Sequence, residues 1–239
     1  MSTPAHLSEV PQTTKIGGKL NWLRAGVLGA NDGIVSTAGL VMGVAGAKVS
    51  SHALLVAGLA GLVAGALSMA GGEYVSVSSQ KDTEIAELGR LRRQLAADPE
   101  GQLRSLSRVY AAKGLSPDLA LQVGRELTAH DALAAHSEAE LGIDADERTS
   151  PWTAAVASMA SFTLGAFVPL LAMVTTPPAS RVLATAVAVT VALLATGYVS
   201  ARLGGAPRGP AMVRNVVVGT LAMGVTYLVG HLVSGQLPR

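Results

Sequence analysis

Five stretches of this chain are long and apolar enough to cross a lipid bilayer, and they fix its fold class before any single residue is considered. A spanning helix needs roughly 20 mostly apolar residues, because a rise of about 1.5 Å per residue must cover a hydrocarbon core about 30 Å thick. The stretches run from about Ala25 to Ala47, Ala53 to Ser79, Trp152 to Thr175, Val182 to Ala201 and Asn215 to Val233. They are rich in Ala, Leu, Val and Gly without the alternation that barrel strands need, so they read as helices. A mean hydropathy of +0.42 with 14% charged residues fits a polytopic membrane protein and not a soluble domain.

The expected fold is an all-α membrane protein with five transmembrane helices and a cytoplasmic helical insert between the second and third. Residues 1–19, polar with scattered Pro and Gly, lack the apolar core of a cleavable signal peptide and read as a flexible cytoplasmic tail. Residues 20–79 hold the first two spans, 80–150 the insert and 151–235 the last three spans.

Orientation follows from the basic residues. With the N-terminus inside, Lys15, Lys19, Arg24, Arg202, Arg208 and Arg214 flank the cytoplasmic face, against Lys48, Arg181 and Arg239 outside. The positive-inside rule therefore predicts an N-in, C-out topology. The net charge of +2 reflects that asymmetry, and with aromatics at 3% of the chain nothing points to nucleic acid.

The insert holds thirteen acidic and nine basic residues, a net four negative charges. Ile85, Leu88, Leu91 and Leu95 fall at helical spacing, and Asp98–Pro99 interrupts them. A second helix over Gly101 to Ala112 ends at Gly114, where a left-handed cap is natural. Ser116–Pro117 supplies an N-cap and a first-turn proline for a third helix toward His130, and a short last helix from Ala132 to Leu141 stops at Gly142. One reading of this segment is an acidic helical hairpin with no chemical role.

Within the spans only two carboxylates occur, Asp32 and Glu73. An ionised carboxylate at mid-bilayer costs about 2.5–3.5 kcal/mol on insertion scales, so such a group faces a cavity or a cation. Asp32 lies eight residues, about 12 Å, in from Arg24, and Met69 lies ten residues, about 15 Å, in from Ser79, which puts the two at similar depth. Glu73 sits one turn nearer the cytoplasm on the same face as Met69, and Ser76 and Gln80 extend that face outward. Each has a plainer reading: Asn31–Asp32–Gly33 as a helix-breaking turn, Glu73 as a group at headgroup level, Met69 as packing. Taken together, carboxylate oxygen with thioether sulfur suits Fe(II) or Mn(II) better than Mg or Ca. No cysteine is present, which excludes disulfides and thiolate metal sites.

At these residues the chain resembles the vacuolar iron transporter family of plant and yeast carriers with their bacterial relatives. The stretches that carry the resemblance are Leu28–Ala38, Ala66–Gln80 and Ala160–Leu170, and it extends from about Leu20 to Leu232. It implies a homodimer with its pathway at the subunit interface, exporting Fe2+ or Mn2+ from the cytoplasm in exchange for protons. For a bacterial-type member it implies the cell (inner) membrane. Asp32 and Met69 match the family's intramembrane metal positions, and Glu73 its second-span carboxylate. The insert departs from the pattern: Leu91, Gln94, Gln102 and Ser105 stand at the expected ligand positions of its first two helices, and His136–Ser137 replaces a methionine pair while Glu140 remains. His136 and Glu140, at i and i+4, read either as a shared metal site or as a solvated helix face. Glu84 and Glu87 keep an acidic entry beside the membrane.

The expected mechanism has metal drawn to the acidic face, passing Glu84 and Glu73 and partly dehydrated between Asp32 and Met69 of both subunits. There, metal and proton compete for one carboxylate, which yields exchange. No cofactor is implied beyond the transported metal. Two alternatives are a proton-coupled exporter of organic cations, for which the spans offer few aromatics, and a non-transporting scaffold with a partner-binding helical domain. His6, His52, His130, His136 and His231 are scattered and form no nucleophile–base set, so no enzyme is expected.

Overall fold

The computed structural model describes residues 14–143 and 150–236, and these are helical throughout apart from short turns. Seven α-helices are present among them: α1 (Thr14–Gly46), α2 (Ser51–Ala97), α3 (Pro99–Ala112), α4 (Pro117–His136), α5 (Pro151–Thr175), α6 (Arg181–Leu203) and α7 (Arg208–Gln236). A π-helical turn, Ser137–Leu141, continues α4. Five of the helices, α1, α2, α5, α6 and α7, are long and apolar enough to cross a membrane.

Helix ends depart from the apolar lengths at three places, the largest being α2, which runs on past Ser79 to Ala97. Thr14 starts α1 inside the stretch read as a tail; the rest of that stretch lies outside the described residues. The last proline before it is Pro11, and nothing from Thr14 to Arg24 breaks a helix once begun. Likewise α7 begins at Arg208 rather than near Asn215. Charge-free length measures what lipid tolerates, and Arg208 and Arg214 end the apolar run without ending the helix.

The chain divides into two compact units. One comprises Lys19–Val75 and Pro151–Arg239 and contains the candidate spans. Its core joins Ile34, Ala38 and Val41 of α1 to Leu54 and Leu62 of α2, Phe162, Leu170 and Met173 of α5, and Val189 and Leu193 of α6. The outer faces are apolar as well: Leu164 is 71% exposed and Leu183 70%. A soluble protein would hide such side chains, whereas lipid accepts them. Hydroxyls in the spans answer to the same solvent, as Thr163, Thr190 and Thr226 each donate at 2.8 Å to the carbonyl four residues back.

Helix α1 is the central element. Past its midpoint, a side chain at Gly33 would collide with the carbonyl of Phe162 on α5; nearer its C-terminal end, a side chain at Gly230 of α7 would collide with the carbonyl of Gly43. Without a hydrophobic driving force between helices in lipid, such close backbone approach supplies the dispersion contact that holds them. The tripeptide Asn31–Asp32–Gly33 lies within unbroken α1, so the helix-breaking reading of Asp32 does not hold.

The other unit is formed by Ser76–Ser150 with residues 14–18, taking the described residues. Its elements start and stop where local chemistry directs. Asp98 caps α3 by accepting from the Gly101 amide at 2.8 Å, with Pro99 opening the helix. Gly114 and Gly142 take φ of 103° and 66°, conformations that other residues rarely adopt. Helix α4 is bent at Asp131 (φ −154°, ψ 100°), whose carboxylate accepts from the Ala134 amide at 2.9 Å and so starts the last helical stretch anew. The fourth helix expected from Ala132 is thus the portion of α4 beyond this bend, continued by the π-helical turn.

Candidate functional site

A cavity of about 250 Å³ lies in the spanning unit, lined by Asp32, Ser36, Thr37 and Leu40 of α1, Gly61, Gly65, Ser68 and Met69 of α2, and Phe162 of α5. Helical periodicity builds both walls. Asp32, Ser36 and Leu40 recur every four residues along α1, and Gly61, Gly65 and Met69 do so along α2, so each set forms one stripe. The glycines keep the α2 wall recessed. The Phe162 ring closes the floor by resting over Gly65, where a Cβ would sit 2.7 Å from the ring's Cε1.

The cavity is open on the surface of the chain, since Ser36, Leu40 and Ser68 are exposed while Asp32 is half-buried. The Ser36 hydroxyl donates to the carbonyl oxygen of Asp32 at 2.6 Å. The donor set facing this space comprises a carboxylate, a thioether and three hydroxyls. Such a mixture can hold a divalent metal of borderline hardness and exchange it for a proton on the carboxylate.

The structure brings Asp32 and Met69 to one cavity and leaves Glu73 outside its lining. Glu73 is half-buried on α2, one turn beyond Met69. Beside it, Tyr74 packs on Trp152 with ring centroids 4.8 Å apart, a pairing suited to the membrane–water boundary that sequence spacing did not reveal.

In the other unit Glu84 and Glu87 have protein partners. Gln80 Nε2 donates to Glu84 Oε1 at 2.9 Å, and Arg90 holds Glu87 Oε2 from Nε at 2.8 Å and Nη2 at 2.7 Å. Among the described residues no group of three or more His, Asp or Glu side chains converges as a metal site. His136 corrects an expectation. Its ring is fully buried, so the solvated-face reading does not hold for it, and Nδ1 lies 3.1 Å from Glu140 Oε1. Its Nε2 is buried with no partner among the described residues. The i, i+4 spacing located the pair, but only the packing of α4 and its π-helical turn against α3 could decide its burial.

Sequence reasoning assigned nothing to Ser36, Thr37, Ser68 or Phe162. Ser36 was findable, because it stands one turn from Asp32; Phe162 was not, because no local pattern ties a residue on α5 to Gly65 on α2.

The VIT family model matches residues 23–231, nearly the whole described chain. The chain belongs to the VIT family. Among its relatives, the vacuolar iron transporter of Acanthamoeba castellanii is 44% identical over 216 residues, covering 90% of this chain and 80% of the relative. Vacuolar iron transporter homolog 1 of Oryza sativa subsp. japonica is 40% identical over 210 residues, covering 87% of this chain and 72% of its own length. Homolog 3 of Arabidopsis thaliana is 39% identical over 210 residues, with 87% and 82% covered. This VIT-family chain is a multi-pass membrane protein.

Proposed function

We propose that this chain is a transporter of iron as Fe(II), with Mn(II) as a second substrate, which moves metal out of the cytoplasm across the cell membrane by proton antiport. The observation that carries the reading is the cavity itself: the half-buried carboxylate of Asp32 shares it with Met69, within two spans whose one other charged group is Glu73. Family membership and the names of the relatives supply the substrate class. With the N-terminus inside, Glu73 stands between the cytoplasm and the cavity as the approach to it, and Glu84 and Glu87 keep the entry acidic. His136 and Glu140 are a separate, weaker donor pair on the cytoplasmic side.

A homodimer follows from the open side of the cavity. The Asp32 carboxylate and the exposed Ser68 hydroxyl would otherwise face lipid, where unsatisfied polar groups cost several kcal/mol each. A second copy placed against this face encloses the polar groups and doubles the donor set around one pathway. An organic cation is a poorer fit, since the cavity's one aromatic ring, Phe162, makes no cage for it.

Metal flux in proteoliposomes with an imposed pH gradient tests the reading. Wild type carries Fe(II) and Mn(II) against the proton gradient, and Asp32→Asn, which keeps the shape and removes the exchangeable proton, carries neither. Undiminished flux in Asp32→Asn would sink the site, and flux indifferent to the gradient would sink the antiport.

A further inference from the structure

We infer that Ser36 is a metal-contacting oxygen donor that sets the preference of the cavity between Mn(II) and Fe(II). This deepens the reading above and rests on it.

The argument starts from one hydrogen bond. Ser36 Oγ lies 2.6 Å from the carbonyl oxygen of Asp32, and a carbonyl only accepts, so the hydroxyl hydrogen is committed to that bond. What remains on Oγ is lone-pair density. Other hydroxyls in the spans make the same backward bond, as Thr163, Thr190 and Thr226 do, and that alone satisfies a polar group in lipid. Ser36 differs in its place. It lines the cavity, it is exposed, and it stands one turn from Asp32 on the same face.

Side chains at i and i+4 have Cβ atoms about 5–6 Å apart, close enough for carboxylate and hydroxyl oxygens to converge on one ion. A hydroxyl with its proton turned away presents to that ion as a carbonyl does, without a competing N–H or O–H dipole. The oxygen is hard and the Met69 sulfur soft, so the two pull selectivity in opposite directions. Removing the hydroxyl leaves a softer set and penalises Mn(II) more than Fe(II).

The absence of cysteine from the chain gives a probe independent of transport. In full-length protein reconstituted in vesicles, Ser36→Cys carries a single thiol. N-ethylmaleimide is expected to alkylate it, and Cd(II), which binds thiolate and thioether, to slow that alkylation at least several-fold. In flux assays Ser36→Ala is expected to raise KM for Mn(II) about three- to ten-fold and for Fe(II) by less, the effect of losing one neutral oxygen donor, while Ser36→Thr restores both. A thiol that is unreactive without metal, or equally reactive with and without Cd(II), overturns the proposal, as does equal loss of both metals in Ser36→Ala. Asp32→Asn in the same assay separates the two failures: if it abolishes flux while Ser36→Ala changes no KM, the transport reading stands and the role of Ser36 falls. If Asp32→Asn transports normally, both fall.

Discussion

Gly33 lies so close to Phe162 that no side chain fits between the two helices: a Cβ on Gly33 would sit 2.9 Å from the Phe162 carbonyl carbon, and 3.0 Å from the Ala166 amide nitrogen. This contact holds α1, which carries Asp32, against α5, which supplies the floor of the cavity. Because the opposing atoms are backbone, they yield only by moving a whole helix.

Gly33→Ala is therefore expected to destabilise the protein by about 1–3 kcal/mol or more, through overpacking that side-chain rotation cannot relieve. Gly71→Ala is the control. Nothing lies within 4 Å of a Cβ there, so within the same helical context that change should stay within about 1 kcal/mol of wild type and lean toward stabilisation. Thermal unfolding in one detergent, read by circular dichroism, checks both. Equal melting temperatures for the two variants would mean that the α1–α5 contact is looser than described.

How much of this was legible beforehand depends on whether the cause was local. The C-terminal end of α3 and the start of α4 were readable because Gly114 and Pro117 act on their own neighbours; Ser116 makes no side-chain cap bond, and α3 begins at Pro99, two residues before the expected Gly101. Asp32 and Met69 were placed at one depth by counting residues along two straight helices. Phe162 was invisible to such counting, since its ring meets Gly65 across a sequence gap that no periodicity bridges. The burial of His136 was hidden for a related reason: an i, i+4 pair on a helix looks the same facing water or a neighbour. The starts of α1 and α7 were missed because apolar length reports the bilayer's demand rather than the helix's.

Phe162 and Gly65 form a pair whose coupling can be measured. Gly65→Ala puts a methyl where the ring now rests, so the ring moves into the cavity, and flux falls together with stability, the latter by about 1–3 kcal/mol. Phe162→Leu makes room at that point. The double variant should recover part of both losses, with an interaction of about 0.5–3 kcal/mol in a double-mutant cycle on thermal stability. Strict additivity would separate the two residues.

His136 is fully buried with Nε2 unpartnered among the described residues, and an unsatisfied buried polar atom costs about 1–3 kcal/mol. His136→Leu keeps most of the volume and removes that cost. It is expected to hold or raise the melting temperature of the metal-free protein, and to lower the number of metal equivalents bound in calorimetric titration if the His136–Glu140 pair holds metal. His136→Ala instead leaves a void and should lose stability. A His136→Leu protein markedly less stable than wild type would show that the lost Nδ1–Glu140 contact outweighs the relief of Nε2.

Met69 gives the counterpart to Ser36. Met69→Leu conserves volume and is expected to cost less than about 1.5 kcal/mol in stability, so a change in transport can be assigned to the missing sulfur. Without the thioether the cavity keeps carboxylate and hydroxyl oxygen, a harder set, and Fe(II) should lose more than Mn(II), with KM rising about three- to ten-fold for the former. Ser36→Ala shifts the ratio the other way. Competition flux with both metals present reads that ratio directly, and opposite signs in the two variants are the expected result. The same sign in both would mean that neither atom touches the ion, and that Asp32 alone distinguishes one metal from another.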